Sequence, residues 1–168
     1  VIDADRLAHE ALRPGSPVYL RIVALLGPAC VGARGKLGRE KIAAAVFQNP
    51  AMRKKLEALI HPYVFRRIRE ECRKSAKQIK VLEIPLLFET GFDSVCDLTV
   101  TVEAKPALIQ KRLAKKNFSK QEIKRRQKAQ MPLAEKKKRS DFVIHNSGTL
   151  KEVRRRVKIL WNEINRPL

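Results

Sequence analysis

Apolar and polar positions follow two rhythms along this chain. Short apolar runs rich in β-branched residues predict strands at 1–2, 80–84, 98–102 and 141–144, and unbroken runs of this kind suit strands of a buried parallel sheet. Elsewhere apolar residues return every three or four positions, the repeat of one helix face. That repeat predicts helices over 6–12, 18–26, 39–47, 51–60, 62–77, 106–116 and 120–130. A terminal helix follows from the stripe Leu150, Val153, Val157, Leu160, Trp161 and Ile164. Arg13-Pro14-Gly15 stops the first helix, Asn49-Pro50 supplies a cap and first turn, and His61-Pro62 joins two helices. Strands alternating with helices indicate an α/β domain on a parallel sheet. The helical block between the first two strands is too long for a simple crossover, so a helical subdomain is expected there, over about 6–78.

The chain has 168 residues, 44% of them apolar, which suits one domain with a real core. No apolar run approaches the roughly 20 residues of a bilayer-spanning helix. Cys30, Cys72 and Cys96 lie far apart, in neither a disulfide framework nor a paired zinc spacing, and a reducing, cytoplasmic setting is expected. The net charge is +20, unevenly placed: residues 105–168 carry 20 Lys and Arg against 5 Asp and Glu, a net +15. Such a field attracts polyanions, whether nucleotide phosphates, nucleic acid or an acidic surface, and it also fits plain solvated helix faces. Aromatic residues are only 5% of the chain, too few to suit a stacking platform for single-stranded nucleic acid.

Asp3 and Asp5 follow the first strand, where ligands of open α/β sheets bind. An Asp there can order the waters of Mg²⁺ or take a proton from a hydroxyl nucleophile, and Asp5 can equally cap the helix expected from Arg6. Glu89 lies past the second strand, as a ligand contact or a surface charge. His61 serves either a ligand or a structural hydrogen bond. Arg112, Lys115, Lys116, Arg125, Arg126 and Lys128 crowd two basic helices, an arrangement able to clamp phosphates or simply to face water. The run 135–139 is densely charged. Asn146 to Gly148 forms a polar turn after the last strand, open to a purine edge or to an ordinary strand-to-helix connection. No structural metal site is indicated. No G-x-x-x-x-G-K-[ST] loop occurs; Gly35-Lys36 is followed by Leu37.

The opening Val-Ile-Asp-Ala-Asp, Leu56-Glu57-Ala58-Leu59-Ile60-His61-Pro62, Gln110-Lys111-Arg112-Leu113 and Gln130-Met131-Pro132 resemble the dephospho-coenzyme A kinases. So do Ile84-Pro85-Leu86-Leu87-Phe88-Glu89 and Ser140-Asp141-Phe142-Val143-Ile144 through Gly148, all in the family's order. The resemblance implies a P-loop NTPase-type fold: a three-layer α/β parallel sheet with an inserted helical substrate domain and a helical lid over about 105–138. It implies ATP-dependent phosphorylation of the ribose 3′-hydroxyl of dephospho-coenzyme A, with Mg²⁺. By the same matching, Asp5 receives the hydroxyl proton and Asp3 positions or acts behind Mg²⁺. His61, Leu87 and Glu89 belong to the substrate side, Arg112, Arg126 and Lys136 contact phosphates, and Asn146 and Gly148 form the adenine turn. Lys116 and Asn117 depart from the family, and Lys cannot form the fork of Arg. The glycine-rich loop is expected in a segment preceding Val1, with the chain as written inactive without it. A basic nucleic-acid-binding or coenzyme A-binding homologue is the alternative.

Overall fold

The structure is a computed structural model that describes residues 1–47, 49–76, 79–116, 118–128 and 130–165. It divides into two compact units, Val1–Pro85 and Leu86–Leu168.

In the first unit, β1 (Ile2–Asp3) pairs in parallel with β2 (Leu82–Glu83), Ile2 opposite Leu82 and Asp3 opposite Glu83. Among the described residues four α-helices lie between these strands in sequence: α1 (Ala4–Ala11), α2 (Tyr19–Leu26), α3 (Arg39–Phe47) and α4 (Pro50–Lys74). The first three pack on α4, and Leu7, Ile22 and Ile68 are sealed from water at the shared core. The Asn49 side chain accepts the Met52 N–H and Pro50 opens α4, as the sequence indicates. Two expectations are corrected. The strand expected over 80–84 is regular only at Leu82–Glu83. The helix break expected at His61-Pro62 does not occur, and α4 runs through Pro62 for 25 residues. An interior proline costs about 3 kcal/mol, whereas each fully buried apolar side chain returns about 1.5–3 kcal/mol. Leu56, Tyr63, Val64 and Ile68 are all buried on either side of Pro62, so tertiary packing outweighs the local penalty.

In the second unit, β3 (Val100–Glu103) pairs in parallel with β4 (Phe142–His145), from Val100 opposite Phe142 to Glu103 opposite His145. The helices are α5 (Pro106–Ala114), α6 (Lys120–Lys128), α7 (Leu133–Arg139) and α8 (Leu150–Ile164). The charge run at 135–139 therefore belongs to a helix that periodicity did not reveal. Thr149 caps α8 and Glu152 reaches back to the Thr149 N–H, a capping box. β3 also departs from expectation. Thr99 and Thr101 are the buried residues, while Leu98, Val100 and Val102 are exposed. The threonines can turn inward because their hydroxyls are satisfied, Thr99 by the Asp141 carboxylate at 2.7 Å and Thr101 by the Lys136 carbonyl at 3.3 Å. Of the three-layer sheet, the described residues show two parallel pairs, one in each unit.

Candidate active site

The first unit places two carboxylates at the carboxyl ends of β1 and β2. Asp3 ends β1 and faces Glu83, which ends β2. The Asp3 Oδ1 accepts the Arg6 N–H at 3.1 Å, so Asp3, not Asp5, caps α1. The helix begins two residues earlier than periodicity suggests, because the cap stands earlier. Asp5 lies in the first turn of α1 and is exposed, where the positive end of the helix dipole favours its anion. Arg6 forks onto both Glu71 oxygens at 2.9 Å and reaches Glu10 at 2.7 Å. The hydrogen bond that Arg6 donates to Glu71 is the main cause raising the Arg6 pKa above its ordinary value. Arg67 pairs with Glu10, Glu70 and Glu71, so one charge network ties α1, and with it Asp5, to α4. His61 lies half-buried in α4, its ring stacked on Phe65 with centroids 6.1 Å apart.

In the second unit, residues 86–92 wind into a tight turn. Thr90 donates to the Leu86 and Leu87 carbonyls, the Phe92 N–H returns to Leu87, and Gly91 has a left-handed φ of 70°. Phe88 and Phe92 bury their rings and pin this turn. The Glu89 Oε1 accepts both the Lys136 Nζ and the Met131 N–H, each at 2.8 Å. Burial pushes the Glu89 carboxyl up, but Lys136, the Met131 N–H and its own N–H outweigh burial and hold it below the usual carboxylate range. Two residues placed on separate roles by the sequence, Glu89 and Lys136, are thus direct partners. Arg112 is exposed on α5. The side chain of Arg126 and the whole of Asn117 lie outside the described residues.

An open cleft of about 730 Å³ lies at the carboxyl ends of β3 and β4, lined among others by Glu103, Lys105, His145, Ser147, Gly148 and Arg156. Ile109 of α5, Gln127 of α6 and Leu133 of α7 complete its wall. The Ser147 hydroxyl accepts the Lys105 N–H at 2.9 Å, tying the start of α5 to the turn after β4. Arg156 donates to the His145 carbonyl. Glu103 takes Lys137 at 2.7 Å on one oxygen and His145 Nδ1 on the other, and Lys137 is the chief cause holding its carboxyl down. Gly148 borders the cleft where a Cβ would run into the Glu152 carboxylate of the capping box. The Asn146 N–H donates to the Glu103 carbonyl at 2.7 Å, continuing the strand ladder. Glu103 could have been found from the signal that picks out Asp3, an acid at the end of a strand. Arg156 could not: it is one of three consecutive arginines, and only packing decides which of them meets the cleft.

Among the described residues no group of three or more His, Cys, Asp or Glu could hold a metal ion, and no helix is long and apolar enough to cross a membrane.

Each unit carries a parallel strand pair with acidic side chains at its carboxyl end, the architecture of an α/β protein. The family model described as CoaE: Dephospho-CoA kinase matches residues 1–152. The chain is 42% identical over 161 residues to a dephospho-CoA kinase of Geobacillus kaustophilus, covering 94% of this chain and 80% of the relative. It is 40% identical over 172 residues to that of Bacillus cereus, covering 98% and 86%. A crystal structure of a Thermus thermophilus protein superposes with a TM-score of 0.82 at 34% identity, covering 98% of this chain and 84% of that one. The dephospho-CoA kinase from Campylobacter jejuni gives a TM-score of 0.67 at 26% identity, covering 96% and 83%. The chain belongs to the dephospho-CoA kinase family.

Proposed function

We propose that this protein transfers the γ-phosphoryl group of ATP to the ribose 3′-hydroxyl of dephospho-coenzyme A, giving coenzyme A and ADP, the last step of coenzyme A synthesis. The observation that carries the reading is the family match along residues 1–152. The fold is of P-loop NTPase type, with residues 6–78 serving the substrate, 105–138 forming a lid and the rest the core. The setting is cytoplasmic.

Asp5 accepts the proton of the ribose hydroxyl as its oxygen bonds to the γ-phosphorus and the bond to ADP breaks. Its place on a helix anchored by the Arg6–Glu71 fork keeps the carboxylate in a fixed position. His61 and Leu87 belong to the substrate side. Arg112, Arg126 and Lys136 offset the charge on the transferring oxygens. The cleft at β3 and β4 takes the adenine of ATP, with Asn146 and Gly148 in the turn beside it, and Lys105 and Arg156 add positive charge there.

Mg²⁺ would travel with the ATP phosphates and supply charge neutralisation. One Asp3 oxygen is spent on the helix cap, and no cluster of three ligating side chains exists among the described residues. Asp3 therefore fits a contact through the waters of a nucleotide-held ion, and the described residues do not fit direct ligation.

The test is coenzyme A formation from ATP and dephospho-coenzyme A by the intact enzyme. No product, or a phosphate at another hydroxyl, overturns the reading. Binding to random DNA that weakens steeply with salt and ignores ATP would put the nucleic-acid reading in its place.

A further inference from the structure

The Glu89 carboxylate is enclosed by its own protein. Its Oε1 receives two donors at 2.8 Å from two different places: Lys136 inside α7, and the Met131 N–H on the connection between α6 and α7. The pair is largely withdrawn from water, with 14% of the Lys136 and 19% of the Glu89 side-chain surface left exposed. A surface ion pair of ordinary kind is worth little, but one shielded to this degree, and reinforced by a backbone N–H, fixes geometry.

The neighbourhood makes this a docking point. One turn further along α7, on the same face, Arg139 binds Asp93 at 2.7 Å and lies over the Phe88 ring, 4.9 Å from its centroid. The Thr101 hydroxyl holds the Lys136 carbonyl, and Lys137 pairs with Glu103. The helix is therefore fastened to the 86–93 turn at two points and to β3 at two more. Within this frame one Glu89 oxygen holds both Lys136 and the Met131 backbone at the end of the α5–α6 segment. A carboxylate oxygen already filled by an ammonium and an amide is a poor acceptor for a substrate hydroxyl.

We propose that Glu89 is a positioning residue, which sets Lys136 and the Met131 backbone at the foot of the α5–α6 segment and acts on phosphoryl transfer through Lys136 without touching dephospho-coenzyme A. This rests on the phosphotransferase reading, in which Lys136 contacts phosphate. The donors that keep Glu89 ionised are consistent with it.

The experiment uses the intact enzyme with Glu89→Gln, Glu89→Ala, Lys136→Gln and the double variant Glu89→Gln/Lys136→Gln. Gln keeps an acceptor for the Met131 N–H and removes the charge that orients Lys136. Glu89→Gln is expected to lower kcat by about 10- to 100-fold, the scale of a misplaced catalytic contact, with KM for dephospho-coenzyme A nearly unchanged. The double variant should be no slower than Lys136→Gln, because the two residues act as one unit. Glu89→Ala should speed hydrogen exchange at the Met131 amide, and Glu89→Gln should leave it largely protected. A raised KM with kcat retained, or losses that multiply in the double variant, would overturn the proposal. So would unchanged Met131 exchange in Glu89→Ala, a readout that does not depend on activity. Absence of kinase activity in the unaltered enzyme would instead overturn the phosphotransferase reading, and Met131 exchange would still decide whether Glu89 holds this backbone.

Discussion

Asp3 and Asp5 are two residues apart, yet the fold gives them different work. Asp3 spends an oxygen on the Arg6 N–H and starts the helix that carries Asp5. Asp5→Asn should therefore reduce turnover about 100-fold or more, the reach of a positioned base, while melting stays close to that of the parent. Asp3→Ala should do the reverse in part, costing about 1 kcal/mol of stability as a lost helix cap. Denaturant titration beside steady-state kinetics separates the two, and an Asp5→Asn enzyme with normal turnover removes Asp5 from the chemistry. Gly148 is constrained by what surrounds it, since a Cβ there would displace the Glu152 carboxylate from Thr149. Gly148→Ala should cost about 1–2 kcal/mol through the broken cap and weaken ATP binding more than dephospho-coenzyme A binding. Equal losses for both ligands in equilibrium titrations would detach this turn from the nucleotide.

At the level of elements, α4 is the clearest case of packing overriding local preference. Its Pro62 leaves the Ala58 carbonyl without the usual N–H four residues on. Pro62→Ala should raise stability by about 1–3 kcal/mol, the helix-interior penalty less the entropy proline removes from the unfolded chain. Chemical denaturation measures this, and a destabilised variant would mean that the helix needs its proline. α7 makes the complementary point. Its sequence, LAEKKKR, has no apolar stripe, and it is held by charge: Lys136, Lys137 and Arg139 each meet an acid on another element. Periodicity finds helices that bury an apolar face, so a helix docked through ion pairs passes unnoticed.

At the scale of the molecule, the carboxylates held below their ordinary values among the described residues, Glu89, Glu103, Asp141 and Glu152, all belong to residues 86–168. Burial opposes each shift; hydrogen bonds from Lys136, Lys137, the Thr99 hydroxyl and the Thr149 N–H respectively lead the causes that lower them. A depressed carboxyl binds fewer protons when folded than when unfolded. Its contribution is complete above the ordinary values of 4.5 for Glu and 3.8 for Asp, and is lost as pH falls through the folded value. The sign is opposite for Arg6, raised above its ordinary value, whose contribution fades only in strong alkali. Acidification should thus strip amide protection from β3, β4 and α7 before it reaches α1, α2 and α4. Hydrogen exchange followed from neutral to acid pH checks this, and simultaneous loss in both units would contradict it.

The sequence by itself determined the α/β class, most helices and the family, because these rest on local repeats and on short motifs whose order survives in a linear text. It located the ends of β1, β3 and β4 well enough to place Asp3, Asp5 and the Asn146–Gly148 turn at strand ends. Only the tertiary structure decided that Asp3 is the cap, that α4 does not break, that Thr99 and Thr101 face inward, and that Arg156 meets the cleft. Only it joined Glu89 to Lys136, 47 positions apart in the chain. A hydrogen bond or ion pair between distant residues leaves no periodic trace, since each partner alone reads as an ordinary surface charge. Its energy arises only after folding has brought the two together and removed them from water.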